Sequence, residues 1–406
     1  MNQPSEQLTA CYNIVQDKDQ PLSPNTQKKY IQAILGEDCK IEKILGKNVL
    51  VFQSFEHSII LLCKCITYLG NPHPIFKKRI QIPRDWVNFA QIAEKQNYDV
   101  RFIGIYHYDN FIIFADFKKD TYLKHKCNNS AAHVYINDLY QGATSGIFTK
   151  IDKNGNEISC IASHSLKDYL NGQKSQNTLL EMFAKFNCNY NFGEWITALE
   201  AISEMHNKHW SKWKETEWAG WFLEYKFSEF SKKPEFSKIV QYTASSFKAH
   251  RQGEYDFDLW FPQEQFFGDL KASDISQKEA PGNDCKTFIN CLNQYGKFWY
   301  IVYEHQTQKD SDHKFEATKW RNHFVWDNKE KHKKIFNEMS YSSRMKHSVK
   351  FVKMFIIELN RINYHEALTE FNQGRQPNGD ARKIKFSINK RNIENFIIYR
   401  YQTNEK

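Results

Sequence analysis

A chain of 406 residues with 41% hydrophobic and 25% charged side chains is long enough for two domains, each with its own core, and too polar to live in a bilayer. Its 56 Lys and Arg outnumber 47 Asp and Glu, and the resulting +9 suits a polyanionic partner without demanding one. Nine cysteines, an odd number without Cys-x-x-Cys spacing, argue against a disulfide scaffold or a zinc knuckle and lead us to expect reduced thiols in a cytoplasm.

The first 25 or so residues are polar, lack a basic-then-apolar leader, and are expected to fray. The run Ser58–Cys63 is too short to cross a membrane and reads as a buried strand. From Lys47 to about Ala162 the pattern is β-rich, with strands at 48–53, 58–67 and 76–82 and a helix at 86–96. Strands at 101–108 and 111–117 are joined by Asp109-Asn110, and strands at 147–152 and 157–161 by Lys153-Asn154-Gly155-Asn156, both hairpin signals. This gives a β-rich first domain over residues 1–165, followed by linker composition at 163–178.

Helical spacing then recurs at 178–186, 195–209, 218–230 and 236–248. A loop at Pro281-Gly282-Asn283-Asp284 precedes a helix to about Asn293. Residues 297–304 form a buried strand, 350–362 read as an amphipathic helix, and 383–388 and 395–401 as late strands. The second domain is placed at 190–406. The fold class expected is α/β (α+β), a mixed sheet flanked by helices behind the β-rich first domain.

One stretch carries more chemistry than the rest. Residues 254–271 hold two aromatic runs with carboxylates around the loop Pro262–Gln265, ending in Asp269-Leu270-Lys271. Acid-x-Lys alone means little, since it recurs at Asp38/Lys40, Asp116/Lys118, Glu224/Lys226, Asp284/Lys286, Asp312/Lys314 and Asp327/Lys329. Pairing the two runs so that Phe261 faces Phe266 sets this one apart. Asp258 then lies opposite Asp269, Asp256 lies opposite Lys271, and period two puts all four on one face. Facing carboxylates repel unless a cation separates them, and Mg²⁺ suits such a pair because it needs only one or two carboxylates plus waters and phosphate oxygens. The bland alternative is an exposed hairpin with a surface ion pair.

The pattern resembles the PD-(D/E)XK nuclease core of type II restriction endonucleases. Asp258, Asp269 and Lys271 match its acid and acid-x-Lys, and Glu224, in Gly-Trp-Phe-Leu-Glu-Tyr-Lys-Phe, is the best match for its helical Glu. Phe257 stands where the motif has Pro, and Asp256 remains a substitute for Asp258. The resemblance covers about residues 215–305. It implies a Mg²⁺-dependent, site-specific endonuclease cutting double-stranded DNA to leave 5′-phosphates, with Glu224, Asp258 and Asp269 on the metal and Lys271 serving the attacking water. It also implies a homodimer or transient dimer on DNA, and a methyltransferase encoded separately.

Base and phosphate contacts are expected from Lys77, Lys78 and Arg79 and from the segment holding Asn128, Asn129, Ser130 and His133, although Asn and Ser there serve equally as turn formers. Further basic clusters lie at Lys118-Lys119, Lys124-His125-Lys126 and Lys331-His332-Lys333-Lys334. His206 and His209 are read as aromatic packing rather than a metal site. Two rivals stay open: a repair or modification-dependent nuclease of the same fold, and a non-catalytic DNA-binding protein whose hairpin acids are structural.

Overall fold

The computed structural model describes residues 3–124, 129–174, 177–190, 192–243, 255, 257–325, 345–372 and 382–403. Asp256, His125, Lys126, Asn128 and Lys331–Lys334 lie outside the described residues. The chain divides into two compact units at Gln176/Asn177. No described helix is long and apolar enough to cross a membrane.

The first unit begins with β1 (Ser5–Leu8), β2 (Ile14–Asp17) and α1 (Pro24–Leu35). Then come β3 (Cys39–Ile44), β4 (Lys47–Gln53), β5 (Ser58–Cys65), β6 (Thr67–Tyr68), β7 (Lys77–Pro83), α2 (Arg84–Glu94), β8 (Asp99–Tyr108) and β9 (Phe111–Phe117). It closes with α3 (Lys119–Leu123), β10 (Asn129–Tyr135), α4 (Ile136–Ser145), β11 (Ile147–Ile151), β12 (Glu157–Ala162) and α5 (Leu166–Leu170). Seven strands form the main sheet in the order β11-β12-β9-β8-β5-β4-β3, and β10-β7-β6 form a second. Apolar clusters cover both faces of the main sheet. Leu50, Phe52 and Leu61 pack toward α1, while Val49, Val51 and Leu62 pack toward α2 and α4. Both hairpin signals hold, and Asp109 and Asn110 take the positive φ (51° and 65°) that a tight primed turn requires.

Three expectations for this unit need correction. The N-terminal residues do not fray: β1 pairs with β2, and Ser5, Gln7 and Leu8 are buried. Polar composition misled because those polar side chains bond each other inside. The 163–178 segment is only partly a linker, since Leu166 and Leu170 of α5 enter the core.

Lys78 is not a surface cation. In β7, alternate residues face opposite ways, so Lys78 points inward while Lys77 and Arg79 point out. Its ammonium is 0% exposed and sits 2.6 Å from Asp19 and 2.7 Å from the Ser5 hydroxyl. Burial lowers its pKa, and Asp19 opposes that shift.

The second unit opens with α6 (Thr178–Asn189), β13 (Trp195–Thr197), α7 (Ala198–Asn207) and α8 (Trp218–Ser231). It continues with β14 (Gln241–Tyr242), β15 (Leu259–Phe261), β16 (Phe266–Asp274), β17 (Glu279–Asp284), α9 (Cys285–Tyr295), β18 (Lys297–Lys309) and α10 (Glu316–Val325). The last elements are β19 (Lys346–Asn360), α11 (Tyr364–Ala367), β20 (Leu368–Phe371), β21 (Lys385–Asn389) and β22 (Ile397–Gln402). The mixed sheet runs β13-β19-β18-β16-β15-β14, with β22 on β19; β16 and β18 are parallel, joined through α9. This is the α+β architecture expected from the sequence.

Residues 350–362 are not a helix. All but the last two belong to β19, a long strand held between β18 on one side and β13 and β22 on the other. Its burial is nearly continuous, so the period-two alternation that marks a strand is lost, and spacing alone imitates a helix. Of the helix expected over 236–248, the described residues 236–243 form none, because turns lead straight into β14. The helix expected over 195–209 begins only at Ala198, where Thr197 and Glu200 form a capping box, and it ends before His209, whose φ is 55°. His206 packs against Trp213, with ring centroids 4.6 Å apart.

Because Lys78 neutralises a carboxylate inside the protein, Lys78→Ala is expected to destabilise the first unit by about 3–5 kcal/mol, as when one member of a buried pair is removed. Urea unfolding followed by tryptophan fluorescence measures this; a loss under about 1 kcal/mol would show the pair to be solvated.

Candidate functional site

The hairpin β15–β16 brings the site together. Its register pairs Phe261 with Phe266, Trp260 with Phe267 and Leu259 with Gly268. One step further, beyond the end of the ladder, Asp258 meets Asp269. The Asp258 amide donates to Asp269 Oδ1 at 3.2 Å, and the Leu270 amide donates to Asp258 Oδ2 at 3.0 Å. Each aspartate therefore binds backbone on the other strand, which fixes both carboxylates. Gly268 permits this packing, since a Cβ there would lie 3.0 Å from the Phe261 ring and 3.1 Å from the Trp299 carbonyl oxygen.

Unlike an exposed hairpin, this one is covered on both faces: Leu259, Trp260, Phe261, Phe266 and Phe267 are all buried. Asp269 is 2% exposed. Lys271 follows it on the same face, with Nζ 2.6 Å from Asp269 Oδ2. The amide of Asn283, on β17, donates to that same oxygen. Glu224 projects from the middle of α8 and accepts from the Tyr242 hydroxyl at 2.6 Å.

The electrostatics divide the three carboxyls. Burial works to raise Asp269, but the Lys271 charge and the bonds from Asp258, Lys271 and Asn283 outweigh it and leave its pKa lowered. Asp258 moves the other way, well above the usual carboxylate range, through burial and the neighbouring Asp269 and Glu224 charges. Glu224 is raised to about 7, chiefly by burial and then by Asp269, against the Tyr242 bond and Lys271. Lys271 is raised because Asp269 and Asp258 outweigh its own burial. The surroundings therefore favour the protonated form of Asp258 and the charged forms of Asp269 and Lys271.

Among the described residues, no group of three or more His, Cys, Asp or Glu side chains could hold a metal ion. The three-carboxylate set expected from the sequence is thus not closed: two aspartates meet, while Glu224 is engaged by Tyr242 and acts on them by charge. Two carboxylates suffice for Mg²⁺, which keeps several of its waters. The donor set fits such a hard cation, and the Asn283 carboxamide lies against Asp269, its Oδ1 buried with no hydrogen-bond partner among the described residues.

Sequence reading missed Asn283 and Tyr242. Asn283 lay in an apparent Pro-Gly-Asn-Asp loop, and Tyr242 in an apparent helix; neither carries a local signal of its role.

In the first unit, Arg79 pairs with His133 across β7 and β10, and Lys77 with Tyr135. Lys77, Arg79 and His133 are half-buried on the face of this small sheet opposite Lys78. Burial, with Lys77 and Arg79 nearby, lowers the His133 pKa to about 4, so its ring is neutral at physiological pH. Ser130 is half-buried in β10, which Asn129 opens. The 128–138 segment is thus a strand leading into α4 rather than a loop. Lys119 bridges Glu94 and Asp99, and Lys118 pairs with Glu157, which leaves these two lysines committed within the unit.

Residues 57–170 match a family described as methylase-associated X1. The match lies within the first unit, spans well under half of the chain, and does not reach the carboxylate site. No curated protein and no solved structure matches the chain.

A carboxyl with a raised folded-state pKa holds its proton more tightly folded than unfolded, so its contribution to stability falls as pH rises between the two values. For Glu224 that window runs from 4.5 to about 7. Thermal melts of the metal-free protein are expected to show wild type losing stability across the window more steeply than Glu224→Gln. Parallel profiles would remove Glu224 from the coupled set.

Proposed function

We propose that the chain is a Mg²⁺-dependent endonuclease of the restriction type, related to the PD-(D/E)XK nucleases, that cuts double-stranded DNA and leaves 5′-phosphates. The observation that carries this reading is the buried Asp258–Asp269 pair with Lys271 alongside, on a hairpin central to a mixed sheet. An ion pair for stability alone would not need a second carboxyl forced against the first, where like charges oppose each other. The methylase-associated match in the first unit supports a restriction–modification context, and with it a methyltransferase encoded separately.

In this reading Asp258 and Asp269 hold the cation, and Glu224 adds negative charge from α8. Bound there, Mg²⁺ would polarise the phosphodiester and neutralise the leaving oxygen. Lys271 is held protonated by its aspartates, so its first role is to donate: it orients the attacking water and meets the charge that builds on the phosphate oxygens. Water adds to phosphorus as the P–O3′ bond breaks; one of its protons stays with the new 5′-phosphate and the other passes to solvent, from which the 3′-oxygen takes up a proton. Lys77, Arg79, Ser130 and His133 are the described residues of the first unit that we assign to DNA. Since one such site cuts one strand, a dimer forms on the duplex.

A second reading, a non-catalytic DNA-binding protein, draws on the fact that Asp258 and Asp269 both bond to groups within the protein. Incubation of the full chain with Mg²⁺ and genomic DNA, unmodified and methylated, separates the possibilities. Discrete fragments from unmodified DNA are expected. Cutting confined to methylated DNA would make the enzyme modification-dependent, and no cutting of either would leave a binding protein.

Lys271→Ala and Asp269→Asn are expected to reduce cleavage by about 10²–10⁴-fold, the range for removing a group that moves or orients protons. DNA binding in a gel-shift assay should persist. Unchanged cleavage in either variant would show that the reaction takes place elsewhere.

A further inference from the structure

The route by which Asn283 reaches the site is unusual. The ladder between β17 and β21 runs through Ala280↔Ile388 and Pro281↔Ser387, then resumes at Asp284↔Lys385. Two residues, Gly282 and Asn283, therefore stand against the single residue Phe386. Such a bulge redirects a side chain out of its sheet. Glycine is required at its first position, because a Cβ on Gly282 would meet the Phe386 carbonyl oxygen at 2.6 Å. Asp284 anchors the far end by capping α9 through the Thr287 amide at 2.9 Å. The Asn283 backbone amide donates to the Tyr300 hydroxyl at 3.3 Å, and Tyr300 lies beside Asp269 in the β16–β18 register.

Held in this way, the carboxamide has one workable orientation. Its Nδ2 faces Asp269 Oδ2, and the reverse orientation would set oxygen against an ionised carboxylate. Oδ1 must then point elsewhere, and it is buried with no donor among the described residues. Buried acceptors are rarely left so, and the usual partner is ordered water or an ion.

We propose that Asn283 is a positioning residue of the carboxylate site. Nδ2 fixes the ionised Asp269, and Oδ1 accepts a hydrogen bond from water held beside a divalent cation there. The Gly282–Asn283 bulge exists to deliver this side chain. The inference rests on the endonuclease reading and adds to it a residue outside the acid-x-Lys pattern, set at the edge of a different sheet.

The test is calorimetric titration of the DNA-free full chain with Mn²⁺ and with Ca²⁺. Wild type should bind, and Asn283→Ala should bind about tenfold or more weakly, as for loss of an outer-shell partner. Asn283→Ser, whose hydroxyl is too short to reach Asp269, loses the same donor with a small polar side chain and should be weakened likewise. It also decides the matter if the alanine variant fails to fold. Wild-type affinity in Asn283→Ala or in Asn283→Ser overturns the role of Asn283 while wild-type cleavage leaves the nuclease reading intact. A wild-type chain that neither binds divalent cations nor cleaves DNA overturns both.

Discussion

Two carboxylates that face each other inside a protein repel, and the centre of the second unit is organised around that conflict. Asp258 and Asp269 are pinned together by reciprocal bonds to each other's strands, so neither can swing away. The surroundings push the two apart, Asp258 toward its protonated form and Asp269 toward its ionised form, with Lys271 and Asn283 both bound to the same Asp269 oxygen. The like-charge strain between them is held by the fold rather than relieved by movement.

The surrounding structure is what makes the strain tolerable. The hairpin is covered on both faces by aromatic side chains, and β16 lies between β15 and the long strand β18. Three further elements each contribute one side chain: α8 supplies Glu224, β14 supplies Tyr242, and the bulge in β17 supplies Asn283. A rigid sheet carrying acids whose partners come from other elements keeps the geometry from relaxing.

The first unit shows the same physics used for stability. Lys78 and Asp19 form an ion pair in the interior, satisfied by Ser5 and Gln7 from a short N-terminal strand. That network binds residues far apart in the chain and explains why a polar N-terminus is folded. On the opposite face of β7, Lys77 and Arg79 are half-buried, so alternation along one strand separates a structural lysine from two outward-facing cations.

The hairpin register, the facing of Asp258 and Asp269, and the placing of Lys271 on the same face were legible in the chain, because strand pairing around a short loop is local and alternation has a strict period. The α+β class and most element boundaries were legible for the same reason. Three kinds of feature were not. Strand β19 was hidden because burial on both faces erases alternation. The fate of Lys78 was hidden because its partner Asp19 is remote in sequence. Asn283 was hidden because a bulge, created only when β17 pairs with β21, turns an ordinary loop residue toward Asp269. Local periodicity decided which acids meet, and tertiary pairing decided what surrounds them, since the desolvation and neighbouring charges that set each group's proton come from elements far along the chain.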